Sequence, residues 1–184
     1  NKNLAASFDS NILSLAQGIK LLALDVDGVL SDGKLYFGND GEELKCFNIA
    51  DGLGIKLLQN QGIEVAIITG RQSNIVQRRA NELSIQHLIQ GREDKLMALD
   101  ELLSITGITL EQTAYMGDDV PDLSAIENVR LGTTVANASA EVKAIADWIS
   151  NKDGGDGAVR ELAELILCAN DLYDKSIDNF RSKN

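Results

Sequence analysis

Hydrophobic positions in this chain follow two alternating rhythms. Leu21-Leu22-Ala23-Leu24, Ile63 to Thr69, Ile85 to Ile89, Gln112 to Met116, Val129 to Leu131 and Asp147 to Ile149 are short, mostly apolar runs. Such runs read as strands buried on both faces. Between and around them, apolar residues recur every three or four positions, which predicts helices over 7–17, Asp51 to Gly62, Ser73 to Leu83, Glu93 to Thr106, Ala138 to Ala146 and Ala158 to Leu172. Asp51 reads as the capping residue of its helix, and Pro121 fits the first turn of a further helix after Met116. Strands alternating with helices imply right-handed crossovers and a doubly wound, Rossmann-like α/β fold with a parallel sheet.

One stretch breaks the alternation. Lys34-Leu35-Tyr36-Phe37 and Glu43-Leu44-Lys45-Cys46-Phe47 flank Gly38-Asn39-Asp40-Gly41, which predicts a β-hairpin over 34–47. Tyr36, Phe37 and Phe47 make it unusually aromatic for a chain with 4% aromatic residues. A two-stranded ribbon is marginal alone, so it is expected to pack on something, such as another subunit. The stretch from Lys175 to Asn184 is polar and reads as a mobile tail. With no repeat and no shift of composition, a single domain over 1–184 is expected.

Composition narrows the setting. No apolar run reaches the roughly 20 residues that span a bilayer, and Asn1-Lys2-Asn3-Leu4 does not resemble a secretion signal, so a cytoplasmic location is expected. Cys46 and Cys168 have no metal-ligand spacing and read as reduced, partly buried thiols. A formal charge of −11 disfavours nucleic acid and anionic membranes as partners. The same charge repels any phosphorylated ligand, so a site for one needs Lys, Arg or metal charge gathered locally.

The candidate chemistry lies where strands end, since open parallel sheets gather ligands at their carboxyl ends. The first strand runs into Asp25-Val26-Asp27-Gly28, two carboxylates in a glycine turn. Carboxylates so close repel, and a divalent cation or a retained proton relieves them. Ile67-Ile68-Thr69-Gly70-Arg71 follows the second strand, Lys95 opens a later helix, and Gly117-Asp118-Asp119-Val120-Pro121-Asp122 follows the fourth. Each segment alone is also ordinary turn or capping chemistry. Taken in order, D-x-D-G-V, T-G, K and G-D-D-x-x-D resemble the four motifs of the haloacid dehalogenase-like phosphohydrolase superfamily.

That resemblance implies a Mg²⁺-dependent phosphatase. Asp25 would attack phosphorus and become an aspartyl phosphate, with Asp27 as acid and then base. Mg²⁺ would be held by Asp25, the Asp27 carbonyl and Asp118, while Thr69 and Lys95 hold the transferring oxygens. Asp119 would position Lys95 or a water on the metal, and Asp122 would support the loop. Only the hairpin separates Asp27 from Asp51, and 25 residues separate Thr69 from Lys95, which leaves no room for the cap domain most members carry. A neighbouring subunit is then the natural cover.

Asn39 to Lys45, Phe47-Asn48 with Asp51 to Lys56, and Gly154-Gly155-Asp156-Gly157-Ala158-Val159-Arg160-Glu161 narrow the likeness to the capless 3-deoxy-D-manno-octulosonate (KDO) 8-phosphate phosphatase family. It implies a small phosphorylated sugar-acid substrate of lipopolysaccharide synthesis and a homotetramer. The substrate's carboxylate asks for a further cation, for which Arg71, Arg79 and Arg78 are the candidates, with Gly70 beside the phosphate. Ala50 departs from the family's frequent Arg, while Arg71 stands where phosphatases of nine-carbon acylneuraminate 9-phosphates tend to carry Glu. Those phosphatases and a non-catalytic assembly domain remain alternatives; a phospho-accepting receiver, with its acceptor after the third strand, is disfavoured. His87 and Trp148 read as structural. The 154–157 loop reads either as an anion site or as an ordinary helix start, and Arg160 as a partner of the tail or of Glu164.

Overall fold

The structure, a computed structural model, describes residues 2–181. After two short helices, α1 (Lys2–Ala5) and α2 (Ser10–Ala16), the chain enters β1 (Leu21–Leu24), whose four residues have no solvent exposure. The hairpin follows as β2 (Tyr36–Phe37) and β3 (Glu43–Leu44), antiparallel with Tyr36 opposite Leu44. Then come α3 (Ile49–Asn60), β4 (Glu64–Thr69), α4 (Asn74–Glu82), β5 (His87–Gln90), α5 (Lys95–Thr106) and β6 (Thr113–Gly117). The chain closes with α6 (Leu123–Asn128), β7 (Leu131–Thr134), α7 (Ala140–Ile145), β8 (Trp148–Ile149), α8 (Ala158–Ala169) and α9 (Tyr173–Arg181).

The sheet order is β5-β4-β1-β6-β7-β8, every pairing parallel. One layer of helices joins α2, α3, α8 and α9, and the other joins α5, α6 and α7. This covers both faces, which is why β1 and β4 are apolar at consecutive positions instead of alternating. With β1 between β4 and β6, the ends carrying Asp25, Thr69 and Asp118 lie side by side, the arrangement that the order of the strands in the sequence leaves open.

Three expectations are corrected. Asp51 does not cap its helix: α3 starts two residues earlier, on Asn48, whose side chain accepts from the Ala50 N–H. The buried Asp51 carboxylate instead accepts from the Gly157 and Arg160 N–H groups at 3.3 and 2.8 Å. The N-terminus of α8 therefore does hold an anion, and the anion is the chain's own. The expected tail is mostly helix, since α9 runs to Arg181; residues 182–184 lie outside the described residues. A left-handed Asp171 (φ 56°) ends α8, and Leu172, Tyr173 and Ile177 then return an apolar stripe to the core with Ser176 buried. Of the two free thiols, Cys168 is half-buried but Cys46, on the hairpin, is exposed.

Candidate active site

The loop that carries Asp25 and Asp27 is built by close backbone contact. Asp25 N donates to Met116 O, extending the β1–β6 pairing past the end of β1. Gly28 follows at φ +93°, where a Cβ would lie 2.0 Å from Asp118 Oδ2, so a side chain here would displace that carboxylate. Beneath it, a Cβ on Gly154 would lie 1.7 Å from Gly28 O, and Gly155 N donates to Val29 O at 2.9 Å. The glycine-rich loop before α8 is thus a backbone wedge under the turn carrying Asp25 and Asp27. That settles its role differently from a ligand loop, because its N–H groups are spent on Val29, Asn137 and Asp51.

Lys95, the first residue of α5, is 2% exposed, and its Nζ donates to Asp25 Oδ1 and to Ile68 O, both at 2.8 Å. Asp122 Oδ1 lies 3.5 Å from the same nitrogen and accepts from the Tyr115 hydroxyl at 2.7 Å. Its other oxygen accepts from Asp118 N at 3.0 Å. Asp122 therefore both supports the loop and stands beside Lys95, while Asp119 lines the cavity and caps the following turn through Val120 N. Carboxylate oxygens of Asp25, Asp118 and Asp122 lie within 4.8 Å of one another. With Asp122 engaged by protein donors, Asp25 and Asp118 keep oxygens free, a hard donor set that suits a hard divalent cation.

The electrostatics match. Burial, then repulsion from Asp122, push the Asp25 carboxyl up to about 6 although Lys95 pulls it down. Burial, then Asp25, Asp122 and Asp119, push Asp118 up to about 7. Burial also raises the Tyr115 hydroxyl well above its ordinary value, followed by Asp122, which keeps it a donor. The protein alone leaves this negative charge uncompensated, and a bound cation would reverse both carboxyl shifts.

A cavity of about 300 Å³ is lined by Asp25, Asp27, Thr69, Gly70, Arg71, Lys95, Asp118, Asp119 and Asp122, all expected at the site from the sequence, together with Gly33, Pro121 and a further carboxylate, Glu93. The larger groove, about 790 Å³ at the amino end of β4 and β5, has one carboxylate, Glu64, already paired with His87 at 2.8 Å. Two expected residues fall outside the cavity. Arg78 is 82% exposed on α4 and pairs with Glu82; Arg79 lies over the Phe47 ring and donates to Asn48 O. In a helix adjacent residues diverge by about 100°, so a run of arginines cannot all face one site. Arg160 pairs with Glu164 at 2.7 Å.

Two residues not foreseen adjoin the site. Lys45, its side chain 1% exposed, pairs closely with Asp27 Oδ1 and stands 3.5 Å from Glu43 Oε1. Glu43 in turn accepts from Arg71 Nη2 at 3.0 Å. The signal was the Glu-Leu-Lys alternation in the hairpin, which sends residues two apart to the same face.

Comparison with known proteins agrees with this geometry. A haloacid dehalogenase-like hydrolase model matches residues 87–162, which include Lys95 and Asp118 but not Asp25. A 3-deoxy-D-manno-octulosonate 8-phosphate phosphatase of Salmonella typhi is 46% identical over 167 residues, 91% of this chain and 89% of that one. The Moraxella catarrhalis phosphatase of the same name, solved with magnesium, phosphate and KDO, superposes with a TM-score of 0.92 at 48% identity, covering 94% of this chain and 99% of that one. The cobalt-bound Haemophilus influenzae phosphatase gives 0.82 at 41% identity, over 88% and 93%. The chain therefore belongs to the 3-deoxy-D-manno-octulosonate 8-phosphate phosphatase family of haloacid dehalogenase-like hydrolases.

Proposed function

We propose that this chain is a single catalytic domain that hydrolyses 3-deoxy-D-manno-octulosonate 8-phosphate to the free sugar acid and phosphate, with Asp25 as nucleophile. The observation that carries the reading is the Asp25 carboxylate, held on one oxygen by buried Lys95 and grouped with Asp118, in a chain 46% identical to phosphatases of that substrate. An Asp25 oxygen attacks phosphorus in line, the bond from phosphorus to the sugar oxygen breaks, and that oxygen takes a proton from Asp27. Water then attacks the aspartyl phosphate, giving its proton to Asp27 and releasing phosphate from Asp25. Lys95 and Thr69 neutralise and position the transferring oxygens. Lys45 holds Asp27 through Oδ1, which ties the hairpin to the group that carries the proton.

Mg²⁺ would be held by Asp25, Asp118 and the Asp27 carbonyl. When bound it supplies positive charge that offsets the repulsion between a carboxylate and a phosphate. A panel of phosphate-release assays with Mg²⁺ tests the reading: the eight-carbon keto-acid phosphate should be preferred over nine-carbon acid phosphates and hexose phosphates, and equal rates on all would reject it.

Metal binding also has a sign with pH. Asp25 and Asp118 have raised folded values, so their contribution to stability is full below about pH 4 and is lost as pH rises through about 6 and 7. A cation removes that loss only where both are ionised. Magnesium should therefore raise the melting temperature by several degrees near pH 8 and hardly at all near pH 5, read by calorimetry. An equal rise at both would place the metal elsewhere.

The assembly is proposed as a homotetramer joined through the hairpins, in a cytoplasmic setting. Phe37 (68% exposed), Leu44 (61%) and Ile49 (85%), with Leu35 and Tyr36, form an apolar surface that a two-stranded ribbon cannot bury alone. Among the described residues no helix is long and apolar enough to cross a membrane. Sedimentation should give a four-chain mass that Phe37→Glu lowers; a wild-type monomer would refute it.

A further inference from the structure

Resting on the proposed function, we infer that Glu43 is a built-in competitor for the substrate's carboxylate: it occupies Arg71 in the free enzyme and must yield that guanidinium when a substrate carrying a carboxylate of its own binds. Among the described residues Arg71 is the one guanidinium lining the cavity, and it is not free: its Nη2 donates to Glu43 Oε1 at 3.0 Å. A ligand carboxylate that pairs with Arg71 must therefore replace Glu43, one charge-assisted contact for another. A sugar phosphate without a carboxylate has nothing to exchange at Arg71 and leaves the Glu43–Arg71 pair in place, so the competition does not weigh on it.

The exchange is built to be reversible. Glu43 Oε1 also lies 3.5 Å from Lys45 Nζ, so on losing Arg71 it keeps a second cation and is not left unpaired. The Arg71 side chain is 45% exposed while its backbone is pinned, its N–H donating to Thr69 Oγ1 at 3.4 Å and its carbonyl accepting from Gly91 N at 3.3 Å. The guanidinium can therefore swing from the hairpin toward the cavity without moving the phosphate-side loop. Because Lys45 also holds Asp27, the chain Arg71–Glu43–Lys45–Asp27 connects recognition of the acid to the carboxylate that carries the proton.

Glu43→Gln keeps the shape and removes the competing charge. Its KM for the eight-carbon keto-acid phosphate should fall about two- to fivefold, the worth of a half-exposed ion pair, and fall by less for a hexose phosphate. In an Arg71→Ala background the same substitution should no longer lower KM for the acid substrate. Glu82→Gln, which removes an equal charge from exposed α4, serves as the control and should leave both KM values unchanged. An equal fall on both phosphates, or a fall that survives in the Arg71→Ala background, would mean general electrostatics and overturn the inference. So would an unchanged KM in Glu43→Gln. Failure of the underlying function is distinguishable, because the wild-type enzyme would then show no preference for the keto-acid phosphate.

Discussion

Asp25→Asn abolishes phosphate release, with a loss of about 10⁴-fold or more, the scale of removing a covalent nucleophile. The fold should survive it. Asn fills the same volume, and its oxygen can still accept from Lys95 Nζ, so the 2.8 Å contact is not lost by size. Stability should even gain where metal is absent. The Asp25 carboxyl stands up at about 6 with the help of Lys95 already included, so ionising it in place is costly at neutral pH. Without metal, Asp25→Asn should therefore melt higher than wild type above about pH 6, and the advantage should shrink as pH falls through about 4 and vanish below it, where the wild-type group is protonated in both states. With magnesium the order reverses, because the variant has lost a ligand. Near-normal turnover in a preparation free of deamidated product would sink the covalent mechanism; a lower melting point in metal-free buffer at neutral pH would sink the account of the cluster.

What the sequence disclosed follows from how local each feature is. The strands were legible because both faces of β1 and β4 are covered, which leaves apolar runs with no alternation to misread. Asp25, Thr69, Lys95 and Asp118 could be grouped in advance because each stands where an element ends or begins at the carboxyl edge of the sheet, and they do line one cavity. What was not legible depends on contacts between distant segments. Asp51 looks like a cap from its neighbours, yet its partners are N–H groups of residues 157 and 160. Arg71, Arg78 and Arg79 carry the same charge, and only the folded arrangement separates them: Arg71 follows β4 and lines the cavity, whereas Arg78 and Arg79 point from α4 to Glu82 and to Phe47 and Asn48. Residues from 175 onward look polar because α9 buries one narrow stripe and leaves the rest in water. Lys45 carried a signal, but alternation in a two-stranded ribbon says which face, not what that face meets.

Lys95→Met should cost about 10²- to 10³-fold or more in kcat, the scale of removing a donor aimed at developing charge. Methionine has nearly the same length and suits a site only 2% exposed, so the comparison isolates the charge and its hydrogen bonds. Three groups lose a partner at once: Asp25 Oδ1 and Ile68 O at 2.8 Å, and Asp122 Oδ1 at 3.5 Å. Breaking a buried pair from one side typically costs about 3 to 5 kcal/mol, and here the remaining side is a cluster of carboxylates. The cluster can relieve itself by taking up protons. Lys95 is among the forces holding Asp25 and Asp118 down, so its loss drives both further up, and the variant's stability deficit should shrink as pH falls. The same protons disarm the nucleophile. The rate of Lys95→Met should therefore still be climbing at pH values where wild type has reached its plateau, as Asp25 regains its charge later. Turnover within about tenfold of wild type would remove Lys95 from the chemistry. A rate loss with an unchanged pH profile would leave it a role on the phosphoryl oxygens but not in ionising Asp25.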